Sequence, residues 1–166
     1  MATVAIGDVH GDARGLAEVL ARVEPELAPG DEVVFLGDLV DRGPDSRGVL
    51  ELVVGLRARR PGRVTVLQGN HEEWLLETWG DPTRHSWLLG LDGLATVRSY
   101  APEAAELLAA RLRELGPRLV LERVALPYEA FFAAIPPAHA ALLRDRQLAP
   151  GGRDRDALPG WPRGLL

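Results

Sequence analysis

Short apolar runs alternate along the first half of the chain with polar loops and with segments of helical spacing. Three such runs, each bounded by turn-forming residues, predict buried β-strands at Thr3–Ile6, Val33–Leu36 and Val64–Leu67. Between and after them, apolar residues recur at helical intervals. These segments predict helices from Ala13 to about Arg22, from a capping Ser46 to Leu56, and from Glu73 to about Trp79.

The pattern of strand, loop and helix recurs at a spacing of about thirty residues. Such a repeat predicts parallel strands joined by right-handed helical crossovers, which places the chain in the α/β class. A glycine-containing polar loop follows each strand, and the carboxyl ends of parallel strands meet at one edge of a sheet. We therefore expect the loops at residues 7–12, 37–43 and 68–72 to lie side by side.

The second half of the chain has a weaker pattern. Residues 87–100 predict a loop with a short helix, and residues 102–115 predict an amphipathic helix. Residues 119–143 are helical in pieces, because prolines at 127, 136 and 137 interrupt them. The last segment, 150–166, is rich in Pro, Gly, Arg and Asp and predicts a loose tail. We expect one domain over residues 1–149, followed by that tail.

Composition narrows the class of protein. With 166 residues, of which 46% are hydrophobic, the chain is long enough for one sizeable core. It has no cysteine, so a metal site must use oxygen and imidazole ligands. The net charge of −5 argues against nucleic acid as a partner. There is no signal peptide and no apolar run that could span a bilayer, so we expect a cytoplasmic protein with no membrane partner.

The three loops carry residues that suit a metal site. Asp8 and His10 lie two residues apart, so both side chains can point to one side of an extended backbone. Asp38 follows the second strand, and Asn70, the one asparagine of the chain, follows the third. Carboxylate, imidazole and amide ligands together suit manganese, iron or zinc, and Asp38 can be shared by two ions. Two ions about 3.5–4 Å apart form a clamp for phosphate ester hydrolysis, in which hydroxide attacks the phosphoryl group.

Three further residues of these loops suit the remaining chemistry. Arg42 can neutralise charge on the transferred phosphoryl group. His71 can protonate the leaving oxygen, and Asp41 can hold that imidazole in its protonated form.

Each of these residues, taken alone, also has a structural interpretation. His10 is a common type of turn residue, and Asp8 could cap the next turn. His71 could belong to the first turn of a helix, and Arg42 could pair with Asp45 at the surface. Because the polar residues follow three consecutive predicted strands, we favour the functional interpretation of the set.

Three segments carry a resemblance to a known family. They are Gly7-Asp8-Val9-His10-Gly11, Gly37-Asp38-Leu39-Val40-Asp41-Arg42-Gly43 and Gly69-Asn70-His71-Glu72. In order and spacing they resemble the signature motifs of the calcineurin-like metallophosphoesterases. Within that family, they resemble most the branch that contains serine/threonine phosphoprotein phosphatases and symmetrical diadenosine tetraphosphate hydrolases. The resemblance covers about residues 3 to 80, and residues 87–100 are similar to a substrate-side segment of bacterial members. It implies a β-sandwich flanked by helices, with the active site along one edge.

The resemblance also implies roles and a cofactor. Asp8, His10 and Asp38 would bind a first divalent ion, and Asp38 and Asn70 would belong to a second, with manganese preferred and iron or zinc as alternatives. His71 would form an acid dyad with Asp41, and Arg42 would clamp phosphate.

The implied activity is metal-dependent hydrolysis of phosphate esters, as in a serine/threonine protein phosphatase, with a phosphorylated protein as substrate. One alternative is hydrolysis of a symmetrical dinucleoside tetraphosphate. Another is an inactive, truncated remnant that retains one metal site.

The chain departs from the family pattern downstream. Members of the family place two further histidine ligands in His-Ala-Gly or His-Gly-Gly and in Gly-His settings, and neither setting occurs here. His85 lies too early for this role and His139 resembles a helical residue, so we expect neither to be a ligand. We therefore expect only the N-terminal βαβαβ half of the sandwich. A truncated gene, a frameshift that produces the Arg/Gly/Pro-rich tail, or a divergent short form would each explain this.

Overall fold

The first half of the chain forms a parallel three-stranded sheet. The computed structural model describes residues 1–145. The strands are β1 (Thr3–Ile6), β2 (Glu32–Phe35) and β3 (Val64–Val66), in the order β1-β2-β3. Both pairs are parallel, with Ala5 opposite Val34 and Val34 opposite Thr65. The predicted βαβαβ arrangement in the α/β class is confirmed.

Nine helices are present in the described part of the chain. They are α1 (Ala13–Val23), α2 (Ser46–Arg59), α3 (Asn70–Gly80), α4 (Ser86–Gly90), α5 (Gly93–Tyr100), α6 (Pro102–Leu115), α7 (Arg118–Leu121), α8 (Glu129–Ala134) and α9 (Pro137–Arg144). A short 3-10 turn at Glu24–Glu26 follows α1. Residues 87–100 form parts of two short helices rather than a loop with one, and the predicted tail at 150–166 lies outside the described residues. No helix among residues 1–145 is long and apolar enough to cross a membrane.

Aspartates cap the two helices that connect the strands. The Asp12 carboxylate accepts a hydrogen bond from the Gly15 amide at 2.8 Å at the start of α1. The Asp45 carboxylate accepts one from the Gly48 amide at 2.7 Å at the start of α2. The prediction that Ser46 caps α2 is wrong, because this serine is the first helical residue and its hydroxyl accepts a hydrogen bond from the loop after β2.

Helix α3 begins at Asn70 rather than at Glu73 as predicted. The residue before it, Gly69, has an extended backbone, and its amide donates to the Glu72 carboxylate at 3.0 Å. A side chain three residues into a helix that accepts from the N-cap amide stabilises the helix start. Asn70 and His71 therefore lie in the first helical turn, where their backbone is fixed relative to the sheet edge.

One face of the sheet is packed and the other is partly open. Four side chains that share a face are buried in the hydrophobic core: Val33, Phe35, Val64 and Val66. On the opposite face, Ala5 is exposed and Leu36, next to the end of β2, is 50% exposed. Residues 1–145 thus contain one sheet, which agrees with the expectation of one half of a sandwich.

Candidate active site

The loops after β1 and β2 are joined to each other by backbone hydrogen bonds. The amides of Val9 and His10 donate to the carbonyl oxygen of Asp38 at 3.0 and 2.9 Å, and the amide of Gly43 donates to the carbonyl of His10 at 2.9 Å. A Cβ atom at Gly43 would lie 2.2 Å from that carbonyl oxygen, so this close approach requires glycine. The two loops therefore form one ordered unit.

Four residues of this unit have a left-handed backbone conformation. The φ angles are 45° at His10, 52° at Asp38, 72° at Asp41 and 64° at Arg42. Residues other than glycine seldom adopt positive φ, and such conformations concentrate at functional sites. The left-handed positions coincide with the residues that the sequence predicted for the chemistry.

Three side chains form a group that could hold a metal ion. His10, Asp38 and His71 each offer a ligand atom, and these atoms all lie within 4.8 Å of one another. The Nδ1 atom of His10 lies 3.2 Å from the carbonyl oxygen of Val40, so it donates its hydrogen there and leaves Nε2 as the potential ligand. A carboxylate with imidazole nitrogens suits a divalent transition metal. The donors that the structure brings together therefore fit such an ion.

The other two predicted ligands lie at the rim of this group. The Asp8 carboxylate is 3.8 Å from Nε2 of His10, and its side chain is 64% exposed. Asn70 is exposed at the first residue of α3, directly before His71, whose amide donates to the Asp38 carboxylate at 3.2 Å. Asp8 lies next to a member of the group without belonging to it, and Asn70 directly precedes another member in the sequence.

Arg42 contacts the first loop rather than Asp45. Its Nη1 atom lies 2.9 Å from Nε2 of His10 and donates a hydrogen bond to that nitrogen, since the other ring nitrogen carries the hydrogen. The arginine is exposed, and a guanidinium offers five N–H donors in a fixed fork. The residue is therefore placed at the mouth of the metal-ligating group.

His71 and Asp41 form a buried pair. The Nδ1 atom of His71 donates to the Asp41 carboxylate at 2.8 Å, and both side chains are almost completely buried. Burial raises the pKa of Asp41 to about 7, although hydrogen bonds from Thr96 and Trp87 act in the opposite direction. Burial also lowers the pKa of His71, which the Asp38 carboxylate partly offsets. In both residues, the interior favours the uncharged form.

Sequence reasoning did not assign two further partners of Asp41. The indole Nε1 of Trp87, in α4, donates to its carboxylate at 2.8 Å. The hydroxyl of Thr96, in α5, donates to the other carboxylate oxygen at 2.6 Å. These residues lie far along the chain in short helices, where a tryptophan or threonine is an ordinary core residue, so no local signal identified them.

Glu72 also has a role that the sequence did not reveal. One of its carboxylate oxygens accepts from the amides of Leu39 and Val40 at 2.8 and 3.2 Å. The other accepts from the amides of Asp38 and Gly69 at 2.9 and 3.0 Å. Burial raises its pKa, while these backbone hydrogen bonds lower it. Glu72 thus fastens the loop after β2 to the start of α3.

His85 and His139 lie outside the group formed by His10, Asp38 and His71. Nε2 of His85 donates to the carbonyl of Val124 at 2.8 Å. His139 is buried between the Tyr100 hydroxyl, 2.8 Å from Nδ1, and the Glu51 carboxylate, 2.9 Å from Nε2. Both histidines thus have hydrogen-bond partners within the fold.

A comparison with known families gives the class of this protein. The model of the calcineurin-like phosphoesterase family matches residues 1–121, which include all three loops of the candidate site. The chain belongs to the calcineurin-like phosphoesterase family.

Individual relatives match shorter parts of the chain. It is 47% identical to the serine/threonine-protein phosphatase ppe1 of Schizosaccharomyces pombe over 66 residues, 40% of this chain and 21% of that protein. It is 40% identical to a second, provisionally assigned serine/threonine-protein phosphatase of the same organism over 76 residues, 45% of this chain and 24% of that protein. The chain therefore matches about a quarter or less of the length of these relatives.

One solved structure also resembles the chain. It is described as a provisionally assigned diadenosine tetraphosphatase and shares 30% identity with a TM-score of 0.39, covering 54% of this chain and 37% of that one.

Proposed function

We propose that this protein hydrolyses phosphate esters with the help of bound divalent metal ions. The observation that carries the proposal is the convergence of His10 and Asp38, two of the proposed ligands, with His71, the proposed general acid: one polar atom of each side chain lies within 4.8 Å of those of the other two. These residues follow three separate strands at one edge of the sheet, His71 from the first turn of α3. The buried carboxylate of Asp41 is paired with the Nδ1 atom of His71. Membership of the calcineurin-like phosphoesterase family supports the same reaction class.

Asp8, His10 and Asp38 would hold a first ion, and Asp38 with Asn70 would take part in a second site. The mixed oxygen and nitrogen donors suit manganese, with iron or zinc as alternatives. The ions would supply positive charge beside the phosphoryl oxygens and lower the pKa of the attacking water.

Arg42 would grip the phosphoryl group of the substrate. Its guanidinium now donates to Nε2 of His10, the nitrogen that is available for a metal. That nitrogen has one lone pair, so it cannot serve both partners at once. If His10 were a ligand, Arg42 would lose this contact, and its guanidinium would be available for a bidentate, charge-assisted pair with phosphate.

His71 would protonate the leaving oxygen as a general acid. Asp41 accepts from its Nδ1 and thereby directs Nε2 away from the buried carboxylate. Burial lowers the pKa of the imidazole, whereas the Asp38 carboxylate raises it, and an approaching phosphate dianion would raise it further. The dyad can therefore acquire the proton that it delivers when substrate is near.

The favoured substrate class is phosphoserine or phosphothreonine in proteins. The identities of 47% and 40% to two serine/threonine-protein phosphatases support this choice. The alternative from the sequence, a symmetrical dinucleoside tetraphosphate, remains the comparison substrate. A cytoplasmic location and the lack of a nucleic-acid partner stay predictions from the sequence.

A metal count and an activity assay test the proposal together. The purified chain is titrated with Mn²⁺ by calorimetry, and phosphate release is followed on p-nitrophenyl phosphate, a phosphoserine peptide and diadenosine tetraphosphate. Asp38→Asn should abolish both metal binding and turnover, because it removes the shared carboxylate. His71→Ala should keep metal binding and lower kcat by about 10²–10⁴-fold.

Asp12→Asn is the matched control, since this exposed residue caps α1 and asparagine caps equally well. It should retain both properties. One bound ion without turnover would instead support the remnant hypothesis. Metal binding that survives Asp38→Asn would contradict the ligand assignment.

A further inference from the structure

We propose that Thr96 and Trp87 are positioning residues that fix the Asp41 carboxylate and, through it, the imidazole of His71. The inference rests on the proposed function, because it names residues that act through the dyad. Neither residue belongs to the three loop motifs. Both come from the α4–α5 segment, which packs against the loop after β2.

Three donors converge on one buried carboxylate. His71 Nδ1 and Trp87 Nε1 both donate to Oδ2 of Asp41 at 2.8 Å, and the Thr96 hydroxyl donates to Oδ1 at 2.6 Å. All four side chains are at most 1% exposed. A carboxylate held at both oxygens cannot rotate without losing a hydrogen bond in an interior where no water replaces it. Its orientation therefore sets the direction of the bond to His71.

A second hydroxyl fixes the proton of Thr96. The Thr96 and Ser46 hydroxyls are 2.9 Å apart, and the Asp41 amide donates to both, at 2.9 and 3.1 Å. Thr96 has one hydroxyl hydrogen, which the short contact assigns to the carboxylate. The Ser46 hydroxyl must then donate to Thr96. The network thus holds both the backbone and the side chain of Asp41, whose φ of 72° is left-handed.

The indole of Trp87 is held in place by the start of α5. A Cβ atom at Gly93 would lie 2.5 Å from Cε2 of Trp87, so only glycine lets the ring lie against this turn. The indole ring also stacks on the ring of Phe131, with the two centroids 5.7 Å apart. The ring is therefore fixed by packing, and its N–H is aimed at Asp41.

The test removes each donor with a small change in side-chain shape at Thr96 and a smaller aromatic ring at Trp87. Thr96→Val removes the hydroxyl, Thr96→Ser retains it, and Trp87→Phe removes the indole N–H. The matched controls are Thr78→Val, which removes a buried hydroxyl bonded to a carbonyl outside the site, and Trp79→Phe, which alters a ring stacked on Phe132. Thermal unfolding of all variants records any loss of stability.

The first readout is independent of activity. The imidazole nitrogen chemical shifts of His71 are measured by NMR in the metal-free protein. The wild type should show one tautomer with the hydrogen on Nδ1. Thr96→Val and Trp87→Phe should shift these resonances toward a tautomeric mixture, whereas Thr96→Ser and both controls should retain the wild-type values.

The second readout separates kcat from KM. With Mn²⁺, Thr96→Val and Trp87→Phe should lower kcat on phenyl phosphate about 10-fold. The loss on p-nitrophenyl phosphate should be smaller, because its better leaving group depends less on protonation. KM should stay within about twofold, because neither residue is placed to contact the substrate.

Two outcomes would overturn the proposal. Unchanged His71 resonances in both donor-removal variants would show that Thr96 and Trp87 only pack the core. The same conclusion would follow if the controls Thr78→Val and Trp79→Phe shifted the His71 resonances as much as Thr96→Val and Trp87→Phe did. A wild-type chain without turnover would contradict the proposed function, but the NMR comparison would still decide the positioning role.

Discussion

The burial of Asp41 has an electrostatic consequence that reaches beyond the site. Its side chain is fully buried, and burial raises its pKa from 3.8 to about 7. The folded protein therefore binds a proton at this residue over a pH range in which the unfolded chain does not. By linkage, the contribution of Asp41 to stability is largest below pH 4 and falls as the pH rises from about 4 to about 7.

We expect Asp41→Asn to remove this pH dependence. The free energy of unfolding of the wild type, measured by urea denaturation in EDTA, should fall relative to the variant between about pH 4 and 7. The upper limit of that relative change is about 4 kcal/mol. Asp12→Asn, which alters an exposed aspartate, should run parallel to the wild type. Parallel profiles for wild type and Asp41→Asn would contradict the assignment. The variant should also lose activity, since an amide holds His71 less well than a carboxylate.

Residues in glycine-flanked loops could be predicted from the sequence, while their supporting partners could not. The types of His10 and Asp38, directly after predicted strands, were sufficient to place them together. Trp87 and Thr96 reach Asp41 from helices 46 and 55 residues further along the chain. Their contacts with Asp41 are set by tertiary packing, which leaves no periodic pattern in the sequence.

At the scale of elements, one side chain links β2 to α3. Glu72 is buried and accepts four backbone hydrogen bonds, from the loop after β2 and from the N-cap of α3. Backbone amides at these positions would otherwise be buried without a partner. The orientation of α3 toward the sheet edge therefore depends on this carboxylate.

We expect Glu72→Gln to lower the free energy of unfolding by about 1–3 kcal/mol. The glutamine amide presents N–H groups toward backbone N–H groups, so at least one pair of hydrogen bonds is lost. Chemical denaturation at neutral pH measures the change. The matched control is Glu73→Gln, an exposed neighbour in the same helical turn, which should change stability by less than about 0.5 kcal/mol. Equal effects of the two substitutions would argue against the role of Glu72.

The elements themselves were predictable where periodicity was strong. The strands at Thr3–Ile6 and Glu32–Phe35 match the prediction within one residue at each end. The start of α3 was not predictable, because it depends on the contact of Glu72 with Gly69. The break between α4 and α5 also escaped prediction, since it depends on a left-handed residue, Asp92, with φ of 59°.

At the scale of the whole molecule, α9 is tied to elements from the middle of the chain. His139 is 1% exposed, and its two ring nitrogens bridge Tyr100 in α5 and Glu51 in α2. Nearby, Arg57 in α2 pairs with Asp145 at 2.8 Å. Contacts between residues this far apart in sequence cannot be inferred from local patterns. The helical conformation of His139, in contrast, could be predicted from its local sequence.

We expect His139→Ala to lower the free energy of unfolding by about 2–4 kcal/mol, because it leaves a cavity and an unpaired Tyr100 hydroxyl. Mn²⁺ affinity measured by calorimetry should be unchanged. His10→Ala should give the opposite result, with metal binding lost and a smaller change in stability. Loss of metal affinity in His139→Ala would mean that this histidine is a ligand after all.

The hydrogen bonds between the loops after β1 and β2 have a consequence for how the site meets its ligands. Segments rich in glycine and aspartate usually exchange their amide hydrogens with solvent quickly. Here the amides of Val9, His10 and Gly11 are engaged by carbonyls of the adjoining loop. They should exchange at rates typical of the strands rather than of a surface turn. An arriving ion or phosphate then orders little additional backbone, so less of its intrinsic affinity is lost to conformational entropy.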